Sequence, residues 1–175
     1  TLATSSAASD VYKRQRIPKS LRDRDNYWFG LSQRARTIIY NKNLVNAEDL
    51  STYENLASPV WKGQLCIRSS DSIYNQSLVA SMIEVNGIKK TESWARNLVS
   101  NFARPPTGGD TDLLKATAAG QCGIALANTY YLGRLINSKN NEEKIAAQNL
   151  AVFWPNQGDG DLSLIHISEP TRHRG

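Results

Sequence analysis

The sequence predicts an α/β fold, helices layered on a mostly parallel sheet, and three observations lead there. Short apolar runs such as "QLCIR", "GIALAN" and "NLAVFWP" have the length and composition of buried strands. The segments between them place apolar residues at helical spacing, and Gly or Pro separates one kind of segment from the other. Strands that alternate with helices along one chain form a sheet with helices on its faces.

Taken in order, "YWFGLSQRARTIIYN" is strand material, with Arg36, Ile38 and Tyr40 alternating against Thr37 and Ile39. "NAEDLSTYENLASPVWKG" carries capping signals at Asn46 and Ser51 and breakers at Pro59 and Gly63, which predicts short helices and a turn. "QLCIR" is a short strand. "SSDSIYNQSLVASMIEVNG" spaces Ile73, Leu78, Val79, Met82, Ile83 and Val85 as a helix, with Gly87 as its stop. "TESWARNLVSNFA" is a second helix, closed by Pro105 and Pro106. "GGDTDLLKATAAG" is a third, with Asp110 or Thr111 as N-cap and Gly120 beyond its end. "GIALAN" is a strand that enters the helix "TYYLGRLINS" directly, and "NLAVFWP" is the last strand.

The ends are set apart. Residues 10–15, "DVYKRQ", back-translated as GAT GTG TAT AAG AGA CAG, have the reverse complement CTG TCT CTT ATA CAC ATC, which reads "LSLIHI", residues 162–167. One DNA tag read on both strands accounts for both ends, and "SSAASDVYKRQ" and "LSLIHISEPTR" resemble translated sequencing adapters. Residues 1–15 and 162–175 are therefore read as adapter-derived and excluded from fold reasoning. The remaining stretch, about 146 residues, is read as an internal piece of a longer frame and suffices for one core. Both histidines, His166 and His173, fall in the excluded tail.

Each excluded end carries one net positive charge (Asp10, Lys13, Arg14; Glu169, Arg172, Arg174), so the formal +5 falls to +3. The basic residues are scattered, which argues against a nucleic-acid partner. No apolar run approaches the length that spans a bilayer, so no membrane insertion is expected.

In parallel α/β sheets ligands sit beyond the carboxyl ends of strands, where helix N-termini point inward. Two strand-to-helix junctions here carry tyrosine: "CIRSSDSIYNQ" delivers Tyr74, and "ALANTYYLG" delivers Tyr130 and Tyr131. Three phenols aimed at one cleft become anionic oxygen donors when a strongly polarising cation binds, and three phenolates balance a ferric ion. Helix N-termini favour the phenolate form as well. Arg134, at i+4 from Tyr130 and i+3 from Tyr131, lies on the same helical face and could hydrogen-bond surplus negative charge. Against this stands packing, because an adjacent tyrosine pair is more often a partly buried structural feature. Tyr27, Tyr40 and Tyr53 are read as structural.

Four segments bear a closer likeness: "YWFGLSQRARTIIYNKNLV", "LSTYENLASPVWKGQLCIRSSDSIYNQSLVASMI", "NFARPPTGGDTDLLKATAAGQCGIALANTYYLGRL" and "VFWPNQ". In this order they resemble the ferric-ion-binding proteins of bacterial iron ABC importers, over essentially all of residues 16–158. The resemblance implies a type II periplasmic binding protein-like fold, of which this chain holds mostly one lobe plus a hinge strand. It assigns 16–41 to an inter-lobe or hinge region, 42–150 to the α/β lobe with the tyrosines, and 151–161 to a strand returning to the other lobe. It implies Fe(3+) as bound substrate on Tyr74, Tyr130 and Tyr131, with Arg134 close to the metal. A synergistic anion or groups from the other lobe complete the set. It further implies a periplasmic, monomeric, non-enzymatic protein whose partner is an ABC transporter permease.

The same fold also serves non-metal ligands such as a polyamine, phosphonate or sugar, and an enzyme could use a cleft tyrosine as general acid or base. The enzyme would need a partner group, and Asp71 alone flanks either junction. Cys66 and Cys122 form either a disulfide or two buried thiols, because sequence does not give their separation. "RPPTGGD" lacks the Gly-Lys-Ser/Thr ending of a phosphate loop, though Arg104 could sit near a bound anion.

Overall fold

Strand β3, Ile124–Asn128, is buried at every residue, and the lobe is built round it. In the computed structural model the described residues are 17–18, 22–25, 27, 30–157 and 166–170, without the side chains of 30–33 and 166–170. Residues 1–15 and most of 162–175, read above as adapter-derived, lie outside them.

Four strands, β1 (Gly30–Asn41), β2 (Leu65–Cys66), β3 and β4 (Leu150–Phe153), line up in the order β2-β3-β1-β4. Only β2 and β3 run parallel in that path, and β1 is antiparallel to both β3 and β4. The expectation of a mostly parallel sheet is thus corrected to a mixed one. β1 alone runs against the other three, and residues 42–64, which lead from it to β2, hold only 3-10 turns at Ala47–Asp49, Glu54–Ala57 and Pro59–Trp61. Residues 35–165 form one compact unit. Residues 1–34 and 166–175 form another, in which β5 (His166–Pro170) pairs with β1.

Both faces of the sheet are covered, and strand alternation decides which residue goes where. Ile38, Ile124 and Leu126 join one apolar cluster with Leu78, Met82 and Trp94. Those last three come from helices α1 (Ile73–Asn86) and α2 (Ile88–Ser100). Ile39, Ala125 and Ala127 join the other, with Leu113, Leu132 and Ala147 from α3 (Asp110–Ala118), α4 (Thr129–Ile136) and α5 (Asn141–Gln148). The small Ala125 and Ala127 let α3 lie close to β3.

The predicted helix stops hold. Gly87 and Gly120 adopt φ of 79° and 77°, left-handed values that an L side chain resists. Three starts differ. Helix α2 begins at Ile88 rather than near Thr91, because the Gly87 carbonyl accepts the Thr91 N–H at 3.1 Å and its hydroxyl at 3.0 Å. Helix α3 is capped at Gly109, whose N–H donates to the Asp112 carboxylate at 2.8 Å, and Asp110 is buried inside instead. The turn at Glu54 takes its cap from the Thr52 hydroxyl and not from Ser51. Helix α5 has no counterpart in the sequence reading. Its apolar face is one buried residue, Ala147, and Asn140 caps it by accepting the Glu142 N–H at 2.8 Å. Among the described residues no helix is long and apolar enough to cross a membrane.

Cys66 and Cys122 are joined as a disulfide, with Cα atoms 5.9 Å apart and a sequence separation of 56. The bridge ties β2 to the residue pair that opens β3. Closing a loop of that length restrains the unfolded chain, so the Cys66→Ala/Cys122→Ala double variant is expected to lose about 2–4 kcal/mol. Urea unfolding compares it with the parent; an unchanged midpoint means that the bridge adds nothing.

Candidate metal centre

Because β2 and β3 are parallel neighbours, the chain leaves both at the same end of the sheet. After β2, residues 67–72 lead into α1, whose second residue is Tyr74. After β3 the chain passes directly into α4, whose second residue is Tyr130. The two hydroxyl oxygens stand 3.1 Å apart, 56 residues distant in sequence. The Tyr131 ring lies 4.3 Å from that of Tyr130 between centroids, tilted by 32°. It rests on the second apolar cluster while its hydroxyl hydrogen-bonds that of Tyr130. Tyr130 remains 41% exposed, so the cluster of phenols opens to solvent.

Burial, then the hydrogen bonds to Tyr131 and Tyr74, push the Tyr130 phenol above its ordinary range; the Asn128 amide pulls it down by less. Without a cation Tyr130 is therefore a neutral donor. Two guanidinium groups stand against the Tyr74 ring, Arg68 at 5.6 Å and Arg36 at 5.9 Å from its centroid.

Arg36 is 1% exposed and sits opposite Asn128 in the β1–β3 ladder. Its Nη1 donates to Asp110 Oδ2 at 3.2 Å and Asn128 Oδ1 at 3.3 Å. Its Nη2 donates to Asn75 Oδ1 at 2.7 Å and the Leu126 carbonyl at 2.8 Å. Burial lowers the Arg36 pKa and Asp110 raises it, but a guanidinium keeps its proton. Asp110 Oδ2 accepts the Asn128 N–H as well, at 3.1 Å, and Oδ1 lies 3.9 Å from Arg68.

A family model for bacterial extracellular solute-binding proteins matches residues 3–160. The chain belongs to that family. The curated relatives include iron uptake proteins A1 and A2 of Synechocystis sp., 52% and 44% identical over 152 and 147 residues. The chain spans 42% of the length of each, and 87% and 84% of it is matched. Among solved structures it is similar to the Trichodesmium protein IdiA (FutA) in complex with iron and citrate ligands, at 53% identity and a TM-score of 0.80. That likeness covers 82% of this chain and 46% of that one. Apo FutA2 from Synechocystis is 41% identical with a TM-score of 0.86, over 90% and 50% of the two chains. The fold is thus α/β and type II periplasmic binding protein-like, about one lobe of it.

In this solute-binding lobe the three predicted tyrosines are brought together. Arg134 is exposed in the last turn of α4 and acts on Glu143, which Lys115 pairs at 2.7 Å. Arg104 donates to Gln121 at 3.1 Å. Tyr53, read as structural, is 2% exposed and donates its hydroxyl to the Arg36 carbonyl. Arg36, Arg68, Asn75, Asp110 and Asn128 escaped the sequence reading. One signal for Arg36 was present: it alternates in phase with Ile38 and Tyr40, so it had to point where they point. Among the described residues no three of His, Cys, Asp and Glu cluster as metal ligands. A 570 Å³ groove behind α1 is lined mostly by apolar side chains, among them Leu78, Val79, Ile83, Leu98 and Phe102, with Ser70, Asn75 and Gln76 also on its wall.

The buried pair makes a prediction. Asp110→Ala leaves the Arg36 guanidinium without its counter-charge, and stability should fall by about 3–5 kcal/mol. Glu92→Ala, which breaks the exposed pair with Arg96, should change little. Denaturant midpoints of the two variants decide; equal effects would count against a special role for the buried pair.

Proposed function

We propose that this chain is the iron(III)-binding substrate-binding component of a bacterial ABC transporter. In this reading the phenolates of Tyr74, Tyr130 and Tyr131 capture ferric ion in the periplasm, and the loaded form delivers it to a membrane permease. The observation that carries the reading is the 3.1 Å between the Tyr74 and Tyr130 hydroxyls. Two oxygens bound side by side to one octahedral cation at about 2 Å stand about 3 Å apart. Hard phenolate donors suit a hard trivalent cation. The Arg36 and Arg68 charges beside the Tyr74 ring offset surplus negative charge at the site. Arg134, on the helix of Tyr130 and Tyr131, is assigned a supporting place near the metal.

The names of the relatives support the same cargo: iron uptake proteins in Synechocystis, a ferric-binding protein in Campylobacter jejuni, and a Trichodesmium protein solved with iron and citrate. The citrate of that structure supports an added anion in the coordination set. Other ligands come from a second lobe, reached through β1 and through residues 151–161, and the protein acts as a monomer. The role is binding and not catalysis. A general acid or base works best with a pKa near the operating pH, and Tyr130 is shifted away from it. Asp71 is held by the Ser69 hydroxyl. A polyamine would need free carboxylates, and Asp110 is committed to Arg36.

Titration with ferric citrate tests the reading. The expected result is a visible phenolate-to-iron charge-transfer band with release of protons, because the phenols must ionise. Tyr74→Phe and Tyr130→Phe should each weaken the band. Each should also lower affinity by more than the roughly 10–100-fold typical of losing a group that only orients a ligand. A colourless parent protein overturns the proposal.

A further inference from the structure

Three helices of the lobe begin around one side chain. Asn75 is the third residue of α1, Asp110 the first of α3 and Asn128 the N-cap of α4, and Arg36 hydrogen-bonds all three. The tyrosines are next to these contacts in sequence: Tyr74 precedes Asn75, and Tyr130 lies two residues beyond Asn128. The other anchors are backbone. Arg36 Nη2 also holds the Leu126 carbonyl inside β3, and Asp110 closes a second path by accepting the Asn128 N–H. On the α1 side, Asn75 Nδ2 donates to the carbonyls of Arg68 and Ser69 at 2.7 and 3.1 Å, which fixes the loop that delivers Tyr74.

We infer that Arg36 is the positioning residue of metal capture. Its guanidinium joins the start of α1 to the start of α4, and so sets the Tyr74 and Tyr130 oxygens at ligand spacing before a cation arrives. The inference rests on the ferric reading above. Beyond its charge beside the Tyr74 ring, Arg36 acts through its hydrogen bonds to Asn75 and Asn128. A planar fork with five donors can bridge several acceptors in fixed directions, whereas the lysine ammonium is a point charge on a flexible stem. An apolar residue could fill the space but could not tie the two junctions together. Pre-set geometry matters because a site loose by about 1 Å loses much of its binding.

The experiment uses the full chain and ferric citrate, and reads affinity, charge-transfer absorbance per bound iron and urea midpoint. Arg36→Lys keeps a positive charge and removes the fork. Asn75→Ala keeps Arg36 and removes the link to α1. Leu150→Ala is the control: Leu150 lies on β4, opposite Asn41 at the far end of the ladder, and is 6% exposed. It shares the second apolar cluster with Tyr131 but makes none of the Arg36 links, so it should lower stability without loosening them. The expected result is a 10- to 100-fold loss of affinity for Arg36→Lys and for Asn75→Ala, with reduced absorbance per iron. Leu150→Ala should bind and absorb like the parent despite its lower midpoint. Arg36→Lys and Asn75→Ala variants that bind and absorb like the parent, or lose no more than Leu150→Ala does, overturn the inference. Should Arg36→Lys fail to fold, Asn75→Ala decides alone on the same criteria. A parent chain that gives no band removes the ferric reading itself, which is a different failure.

Discussion

The Arg36 guanidinium lies in the sheet interior, where taking a charge out of water costs several kcal/mol even after the surroundings relax. Every group around it must therefore offer an acceptor. The lobe meets that demand with a carboxylate, two amides and a main-chain carbonyl, drawn from three helix starts and from β3. Because the acceptors come from α1, α3 and the strand β3 that runs into α4, satisfying one side chain also fixes how those elements meet. Tyr53 completes the arrangement from below by holding the Arg36 carbonyl, and burial keeps that phenol neutral, as a donor must be.

Strand direction supplies the second constraint. β1 alone runs against β2, β3 and β4. β2 and β3 therefore end on the same side, and they are the strands followed by the tyrosine-bearing helices. The disulfide ties β2 to Cys122, two residues before β3. Parallel direction, covalent tie and phenol cluster thus coincide on one pair of strands, and the helix N-termini there add positive potential at the phenols.

Much of the lobe was readable from sequence. The apolar alternation of β1, the short buried runs of β2 and β3 and the glycine stops report strong local preferences, and the structure keeps them. The pairing of Tyr74 with Tyr130 was readable because each opens the helix that comes next after a strand, Tyr130 directly and Tyr74 after a short loop. What escaped has a common cause. Asp110 resembles an N-cap, Asn75 and Asn128 resemble ordinary helix-entry residues, and Arg36 resembles a solvated strand charge. Each local preference is sound, and a long-range contact overrides it. Helix α5 was missed because a single buried alanine leaves almost no periodic signal. The sense of β1 leaves no local signal, because it is set by long-range pairing with β3 and β4.

In the ferric reading proposed above, the hydrogen bond between Tyr74 and Tyr130 bears on how a cation would enter. Phenols that share a proton and phenolates that share a metal ask for nearly the same oxygen separation, about 3 Å in either case. Exchange of proton for metal at this pair therefore requires little movement of the backbone, and the ordering cost is met when the lobe folds. The raised pKa of Tyr130 works in the same direction: it keeps the empty pair neutral and hydrogen-bonded, whereas two adjacent phenolates without a cation would repel each other. A trivalent ion supplies enough attraction to displace those protons, and a weakly polarising cation does not. Selectivity for a strongly polarising ion then follows from the proton competition, while Arg36 and its acceptors keep the oxygens where either partner can bridge them.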